Sequence, residues 1–394
     1  MFLFDATHTS HTTAQTGIQR VCRSLYAALT QTPGGVGGIC FDPHLDAWRK
    51  LSATELGVLA DRTALASASR GSRWTLAQKI SGHARRLTDS RAPLPATDGL
   101  ICPELFSAKV GARLPELLQA VSGPRVAIFH DAIPLKFPEL TAAGNVARFP
   151  LYLRELLLFD GVAAVSEDSA ASLRDYWRWL GVDRAPPVQA IPLGLDRPIL
   201  PAVGTSPSHA SPVPRLLSVG TIEGRKNHLA LLDACEALWR QGLVFELELI
   251  GLARPDTAAP ALEKMAALRA SGRPLIFHGS VSEASLHKAY ARASFTVYPS
   301  LIEGFGLPVL ESLQHGKPCV CSARGALGES ARGGGCLALE SVDASRLAGA
   351  IRRLLSDAVE LAELSAVARR RKFRTWSEYA GELTTWMHAL PRRH

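Results

Sequence analysis

Two carboxylates, Glu303 and Glu311, bracket the run Glu303-Gly-Phe-Gly-Leu-Pro-Val-Leu-Glu311, eight positions apart. The strand-like segment Phe295-Thr-Val-Tyr-Pro-Ser precedes it, and a helix-like run ending at His315-Gly316 follows. Pro308 suits the first turn of that helix, where its missing N–H costs nothing. The pattern therefore predicts strand, loop, helix, with Glu303 on the loop and Glu311 one turn into the helix. Backbone N–H groups of Gly304, Phe305, Gly306 and Leu307 would head the helix. Unpaired donors and the positive end of the helix dipole point the same way there and attract phosphate. Carboxylates that accept from hydroxyl groups complete what a sugar nucleotide needs. A plain βα turn with an acid at each end fits the same spacing.

A second group lies in Gly220-Thr221-Ile-Glu-Gly-Arg225-Lys226-Asn-His. Arg225 and Lys226 follow a strand-like run and enter a helix, where the dipole opposes positive charge. An anionic ligand would compensate them; two solvated cations is the other reading. His130 and Asp131 end the apolar run Val126-Ala-Ile-Phe, where a histidine is either a structural hydrogen-bonder or a group facing a ligand. The polar loop Thr7 to Thr16 leads into a helical pattern opening at Gly17, with Val21, Cys22, Leu25 and Leu29 on one face. Gly17 would let backbone N–H groups approach a phosphate or an acceptor sugar, unless the loop is only surface. Ser166 reads as a helix cap and nothing more.

Strands and helices must hold these groups. Phe2–Ala6, Gly38–Phe41, Gly99–Cys102, Arg125–Phe129, Gly161–Val165 and Val188–Ile191 read as strands, mostly separated by helix-like segments. A second series comprises Arg215–Val219, Phe245–Ile250, Leu275–His278, Phe295–Tyr298, Cys319–Cys321 and Cys336–Leu339. Each alternation predicts a parallel sheet covered by helices, with ligands at the carboxyl ends of its strands. Five prolines and no apolar periodicity mark Arg197 to Pro214 as the connection. The domains expected are 1–197, a linker 198–214, and 215–375.

The chain's 394 residues, 47% hydrophobic and 20% charged, suffice for two buried cores. Neither a spanning helix nor a signal peptide is expected, since no long apolar run occurs and Met1-Phe-Leu-Phe-Asp lacks a basic leader. Seven cysteines without a Cys-x-x-Cys pair predict buried thiols in a reducing compartment rather than disulfides or zinc. The formal charge of +8 favours an anionic partner: a diphosphate, a membrane surface or nucleic acid. Basic runs interleaved with aromatics are lacking, so no nucleic acid is expected. From 70 to 91, Arg70, Arg73, Lys79, Arg85, Arg86 and Arg91 face one acid, Asp89, with Trp74, Ala77, Ile80, Ala84 and Leu87 near one helical face. Such a basic amphipathic helix either touches an anionic membrane or is a solvated helix packed on its domain.

The run from Glu303 to Glu311 resembles the signature of the retaining family 4 glycosyltransferases, within the glycosyltransferases group 1. That resemblance implies the α/β GT-B fold, with two Rossmann-like parallel-sheet domains facing each other across a cleft. It is strongest from Ser218 to Gly328 and weakest from Pro43 to Gly99. Ile191-Pro-Leu-Gly194-Leu-Asp196 resembles the turn that closes the family's first domain. Phe373-Arg-Thr-Trp376 resembles the family's end, so 376–394 is expected to cross back to the first domain. The loop at Gly17 is similar to one facing the cleft. The His130-Asp131 segment resembles that of mannosyl- and rhamnosyltransferase-like members, where the histidine nears the donor sugar. Lys226 fits the family's diphosphate-binding lysine. Thr221 stands where many members have an arginine, which leaves Arg225 to supply the second charge. His278-Gly-Ser-Val281 resembles the turn that meets the nucleotide base.

These readings converge on a hexosyltransferase that moves a sugar, with mannose from GDP-mannose favoured, to a glycan or lipid-linked glycan in bacterial polysaccharide or lipopolysaccharide synthesis. His130, Glu303, Lys226 and Arg225 are expected at the chemistry. Gly17, Asp131, Thr221, Val281, Gly304, Phe305, Gly306, Leu307 and Glu311 are expected around the donor. No cofactor is expected, and no metal, because no Asp-x-Asp pair sits at a strand end. A cytoplasmic protein, peripheral at the inner face of the plasma membrane through 70–91, is expected. The rival readings are a sugar-nucleotide epimerase or hydrolase on the same fold, a silent nucleotide-sugar-binding subunit, and a basic scaffold for nucleic acid.

Overall fold

The computed structural model describes residues 1–61, 74–88, 94–95, 97–196, 213–254 and 257–391. The chain divides into two compact units, Met1–Asp196 with Arg374–His394, and Arg197–Phe373. The expected linker lies outside the described residues apart from Val213 and Pro214.

The first unit is built on β1 (Phe2–Asp5), β2 (Val36–Asp42), β3 (Ala47–Lys50), β4 (Gly99–Cys102), β5 (Arg125–Phe129), β6 (Gly161–Ala164) and β7 (Val188–Ala190). They form one sheet in the order β3-β2-β1-β4-β5-β6-β7. Leu3 pairs with Leu100 and Ala127 with Val162, and β1, β4 and β6 are buried along their whole length. Burial on both faces is why these strands read as continuous apolar runs. Leu114, Leu117, Tyr152, Leu153 and Trp177 pack against Leu3, Leu100, Ala127, Phe129 and Val162 as the core of one face.

One strand departs from the expected parallel sheet. β3 pairs antiparallel with β2, with Phe41 opposite Trp48, after a turn in which Asp46 takes φ 57°. A short edge strand returned by a tight turn needs no crossover helix, so this edge is the exception.

The second unit holds β8 (Arg215–Val219), β9 (Glu246–Ile250), β10 (Leu275–Phe277), β11 (Phe295–Tyr298), β12 (Cys319–Ser322) and β13 (Cys336–Leu339). They are all parallel, in the order β10-β9-β8-β11-β12-β13. The helices His228–Arg240 and Ala344–Ser356 bury Leu231, Leu232, Cys235, Leu238, Leu347, Ile351 and Leu354 against one face of it.

Strand order reverses between β8 and β11 in the second unit and between β1 and β4 in the first. At such a point the loops leaving neighbouring strands diverge to opposite sides and open a crevice. The helix Trp376–Ala389 belongs to the first unit. Its start is joined to the chain before the linker by a bridge from Leu195 to Thr375, and Gly194 allows the close approach, since a Cβ there would lie 2.5 Å from the Trp376 nitrogen.

Candidate functional site

In the second unit, the loops after β8 and β11 meet at the reversal of strand order. Glu303 is the hub. Its Oε1 accepts from Lys226 Nζ at 2.5 Å, from the Tyr298 hydroxyl at 2.9 Å and from Ser300 Oγ. Its Oε2 accepts from Arg225 Nη1 at 2.9 Å. Arg225 is held from its other side by Glu223, 2.7 Å away. Lys226 also donates to the Tyr298 oxygen, and its ammonium lies 4.9 Å from the centroid of that ring. The side chains of Lys226 and Glu303 are each only 10% exposed, which makes their pairing strong enough to shape the site.

Burial alone would raise the pKa of Glu303, but Lys226 and Arg225 outweigh it and hold the carboxyl down at about 2. Burial lowers the pKa of Lys226, with Glu303 opposing. Burial and the adjacent Glu303 raise the Tyr298 phenol well above its ordinary range, so it stays a donor. The result is an ionised carboxylate between two cations. The compensation that the adjacent cations require comes from Glu303 and Glu223.

Backbone chemistry fixes these loops together. Gly224–Lys226 forms a single 3-10 turn, and Asn227 takes a left-handed φ of 56°, which asparagine tolerates better than most residues. Its Nδ2 donates to Pro299 O at 3.2 Å and Val342 O at 2.8 Å, and Leu301 N donates to Arg225 O at 2.8 Å. Gly306 caps the helix Leu307–Gln314 with φ 97°, and a Cβ there would lie 2.9 Å from Leu327 Cδ2. Ser330 Oγ donates to Phe305 O at 2.7 Å and holds the turn. The run Gly304 to Leu307 thus leads into a helix whose first turn is closed on Gly306, with Val309 N donating to Gly306 O at 3.1 Å and Pro308 bringing no N–H.

Glu311 lies in that helix, half-buried, and accepts from the Tyr290 hydroxyl at 3.2 Å. Tyr290 stacks on His315, ring centroids 5.0 Å apart. Thr221 is half-buried after β8, and Val281 is half-buried after β10, packed against Leu217, Ile250 and Tyr290. Arg225, Lys226 and Glu303 are therefore in mutual contact. Thr221, Val281 and Glu311 share the same edge of the sheet without touching them in any hydrogen bond described.

Three further residues lie in the first unit. His130 follows β5 and is 9% exposed, and its Nε2 is 2.7 Å from Pro103 O. Burial lowers its pKa, so the ring is neutral at pH 7, with Nε2 donating and Nδ1 left as an acceptor. Asp131 accepts from Ile133 N at 3.0 Å and forms a local turn. Gly17 is exposed at the start of the helix Gly17–Leu29.

The loop before Gly17 is no loose surface segment. Glu104, which sequence reasoning passed over, accepts from His8 N and Thr9 N, both at 2.7 Å, and from the Thr9 hydroxyl. Arg23 donates to Thr12 O at 2.7 Å and Ala14 O at 2.8 Å. Tyr298, Ser300, Glu223 and Asn227 were also not singled out in the sequence. Only Asn227 carried a signal, since an asparagine between a turn and a helix marks a left-handed residue.

Among the described residues, His11, Cys40 and Glu55 bring potential metal-ligand atoms within 4.8 Å of one another. Arg49 occupies that neighbourhood with Nη2 2.7 Å and Nη1 2.8 Å from the Glu55 oxygens, so the cation there is a guanidinium. Trp74, expected on the face of a basic helix, stacks instead on His11 with ring centroids 3.8 Å apart. Arg70, Arg73, Asp89 and Arg91 lie outside the described residues. Among the described residues, no helix is long and apolar enough to cross a membrane.

Residues 213–357 match the family described as Glycosyl transferases group 1. Over 348 residues, 81% of the chain, the sequence is 27% identical to the serotype-specific mannosyltransferase WbdA of Escherichia coli, of which the match covers 38%. It is 37% identical over 110 residues to the O-antigen chain mannosyltransferase B of Escherichia coli, covering 27% of this chain and 28% of that protein. The chain thus spans less than two-fifths of the length of these relatives. Sucrose-phosphate synthase from Thermosynechococcus elongatus superposes with a TM-score of 0.68 at 20% identity, over 99% of this chain and 98% of that one. Anabaena HepE in complex with UDP and glucose superposes with a TM-score of 0.70 at 16% identity, over 99% of each chain. These likenesses show the fold, GT-B, with two parallel-sheet α/β domains.

Proposed function

We propose that this chain, whose second unit carries a glycosyl transferases group 1 domain, is a retaining glycosyltransferase of family 4 type. It moves a mannosyl group from GDP-mannose to a glycan or lipid-linked glycan in bacterial polysaccharide synthesis. The observation that carries the reading is the cluster of Lys226, Arg225 and Glu303 at the reversal of strand order. The similarity to two mannosyltransferases favours mannose as the sugar.

In this proposal the donor diphosphate competes with Glu303 for Lys226 and Arg225, and the amides from Gly304 to Leu307 cover its remaining oxygens. These groups stabilise the charge that develops on the leaving diphosphate, and they are arranged beforehand in a largely buried site. Glu303, released from part of its pairing, accepts from the sugar hydroxyls, and Glu311 takes the ribose. Thr221 and Val281 line the donor, Val281 beside the base. His130, with Gly17 and Asp131 on the same unit, orients the transferred sugar. The acceptor attacks on the face that the diphosphate leaves, and that phosphate takes the acceptor's proton. No metal ion takes part, so EDTA leaves the rate unchanged.

A thermal-shift panel of GDP-, UDP-, dTDP- and ADP-sugars tests the donor site, since a ligand that binds only the folded chain raises its melting temperature. GDP-mannose should stabilise wild type and fail to stabilise Lys226→Ala. If no nucleotide sugar shifts wild type, the donor site falls, and with it the transferase reading.

A further inference from the structure

We propose that Cys336 and Cys319 are a thiol pair that a hydroperoxide closes to a disulfide, and that closure shifts the helix Leu307–Gln314 lying on them. The two are register partners on β13 and β12, and Cys319 N donates to Gly335 O at 3.2 Å. Such partners point to the same face of a sheet. Their Cα atoms lie about 4.8 Å apart, inside the roughly 4.4–6.8 Å that a disulfide spans. Cys321, two positions along β12, shares that face and is hydrogen-bonded to both Cys319 and Cys336. Val309 and Leu313 of the helix pack on these thiols.

Six of the seven thiols are buried, and Cys336 is half-buried. Burial raises the pKa of Cys22, Cys40, Cys102 and Cys235, which keeps them inert. Cys336 goes the other way. The hydrogen bond from Cys321, helped by the Arg371 guanidinium, holds its thiol below the ordinary value of 9.0 against burial. Arg371 is clamped beside it: Nη1 donates to Gly334 O at 3.2 Å, and a Cβ on Gly333 would lie 2.6 Å from Cζ. The Cys336 thiolate attacks one peroxide oxygen; the O–O bond breaks, and the hydroxide that leaves takes up the proton Cys336 released. The Cys319 sulfur then attacks the sulfenic acid, and its proton departs with the hydroxyl as water. The thiols lose two electrons, and these have reduced the peroxide. A disulfide holds its Cβ atoms only about 3.8 Å apart, so β13, an edge strand, must be drawn inward. Gly335 moves with it, and Leu313 rests on Gly335 so closely that a Cβ there would lie 2.8 Å from Leu313 Cδ2.

Closure needs no nucleotide sugar, so it stands or falls apart from the donor site. The test treats the reduced full chain with hydrogen peroxide and reads the intact mass, the bridge in a non-reducing digest, and amide hydrogen exchange. Wild type should lose the mass of two hydrogen atoms and yield one bridge, between Cys319 and Cys336. The amides of Leu307–Gln314 should then exchange faster, and dithiothreitol should reverse all three changes. Cys336→Ser should show none of them, and where that variant fails to fold the bridge mapped in wild type decides alone. No loss of mass in wild type, a bridge that excludes Cys336, or oxygen gained at Cys336 without a bridge overturns the proposal. So does a bridge that forms while exchange over the helix stays unchanged.

Discussion

Glu303 carries two roles that pull against each other: it neutralises Lys226 and Arg225, and in the proposed reaction it must share them with a diphosphate. Its folded pKa of about 2 lies below the ordinary value of 4.5, so its pairing stabilises the fold fully above pH 4.5. That contribution is lost as pH falls from 4.5 towards 2. Urea midpoints at pH 6 and pH 3 should therefore differ more for wild type than for Glu303→Gln, and an equal drop in both would deny the carboxylate this role. Tyr298→Phe removes the hydroxyl that bridges Lys226 and Glu303. It should cost about 1 kcal/mol of stability and lower kcat about tenfold with little change in the acceptor KM. An unchanged kcat would make the tyrosine mere packing.

Gly306 shows how an element sets the site. An alanine there would take a left-handed φ at a cost of about 1–2 kcal/mol, and its Cβ would push on Leu327. Gly306→Ala should therefore lower the melting temperature and raise the donor KM by tilting the helix Leu307–Gln314. A variant with wild-type donor binding would separate this helix from the donor. The elements themselves were largely readable. Strands such as Gly99–Cys102 stand out because burial on both faces leaves unbroken apolar runs. β3 was not, since Ala-Trp-Arg-Lys has no such run and exists as a strand only by pairing with β2. In the site, Lys226 and Glu303 were legible because a charge beside a glycine turn at a strand end is conspicuous. Tyr298 was hidden, being one more aromatic in a strand, and Glu104 was hidden because its partners lie 95 and 96 positions away in sequence. The helix Leu76–Leu87 was legible as basic and amphipathic. Which stripe faces water was not, because that depends on where Gly82 finds a backbone to press against.

At the scale of the whole molecule, two sheets each reverse their strand order at the point where polar and charged loops gather: Thr7 to Thr16 with Glu104 in one unit, and Arg225, Lys226 and Glu303 in the other. The fold supplies crevices of this kind for many ligands. In the proposed reading, the charge cluster of the second unit is what would select a nucleotide diphosphate, and the proposed transfer depends on it. The direct measurement is GDP release from GDP-mannose by the full chain, with and without a mannose-terminated glycan, followed alongside the mass of the glycan and the anomeric configuration of any new linkage. The account predicts GDP release that depends on the glycan, one mannosyl group gained for each GDP, and retention of the donor's configuration. GDP released without a gain in the glycan, or an inverted linkage, would contradict it.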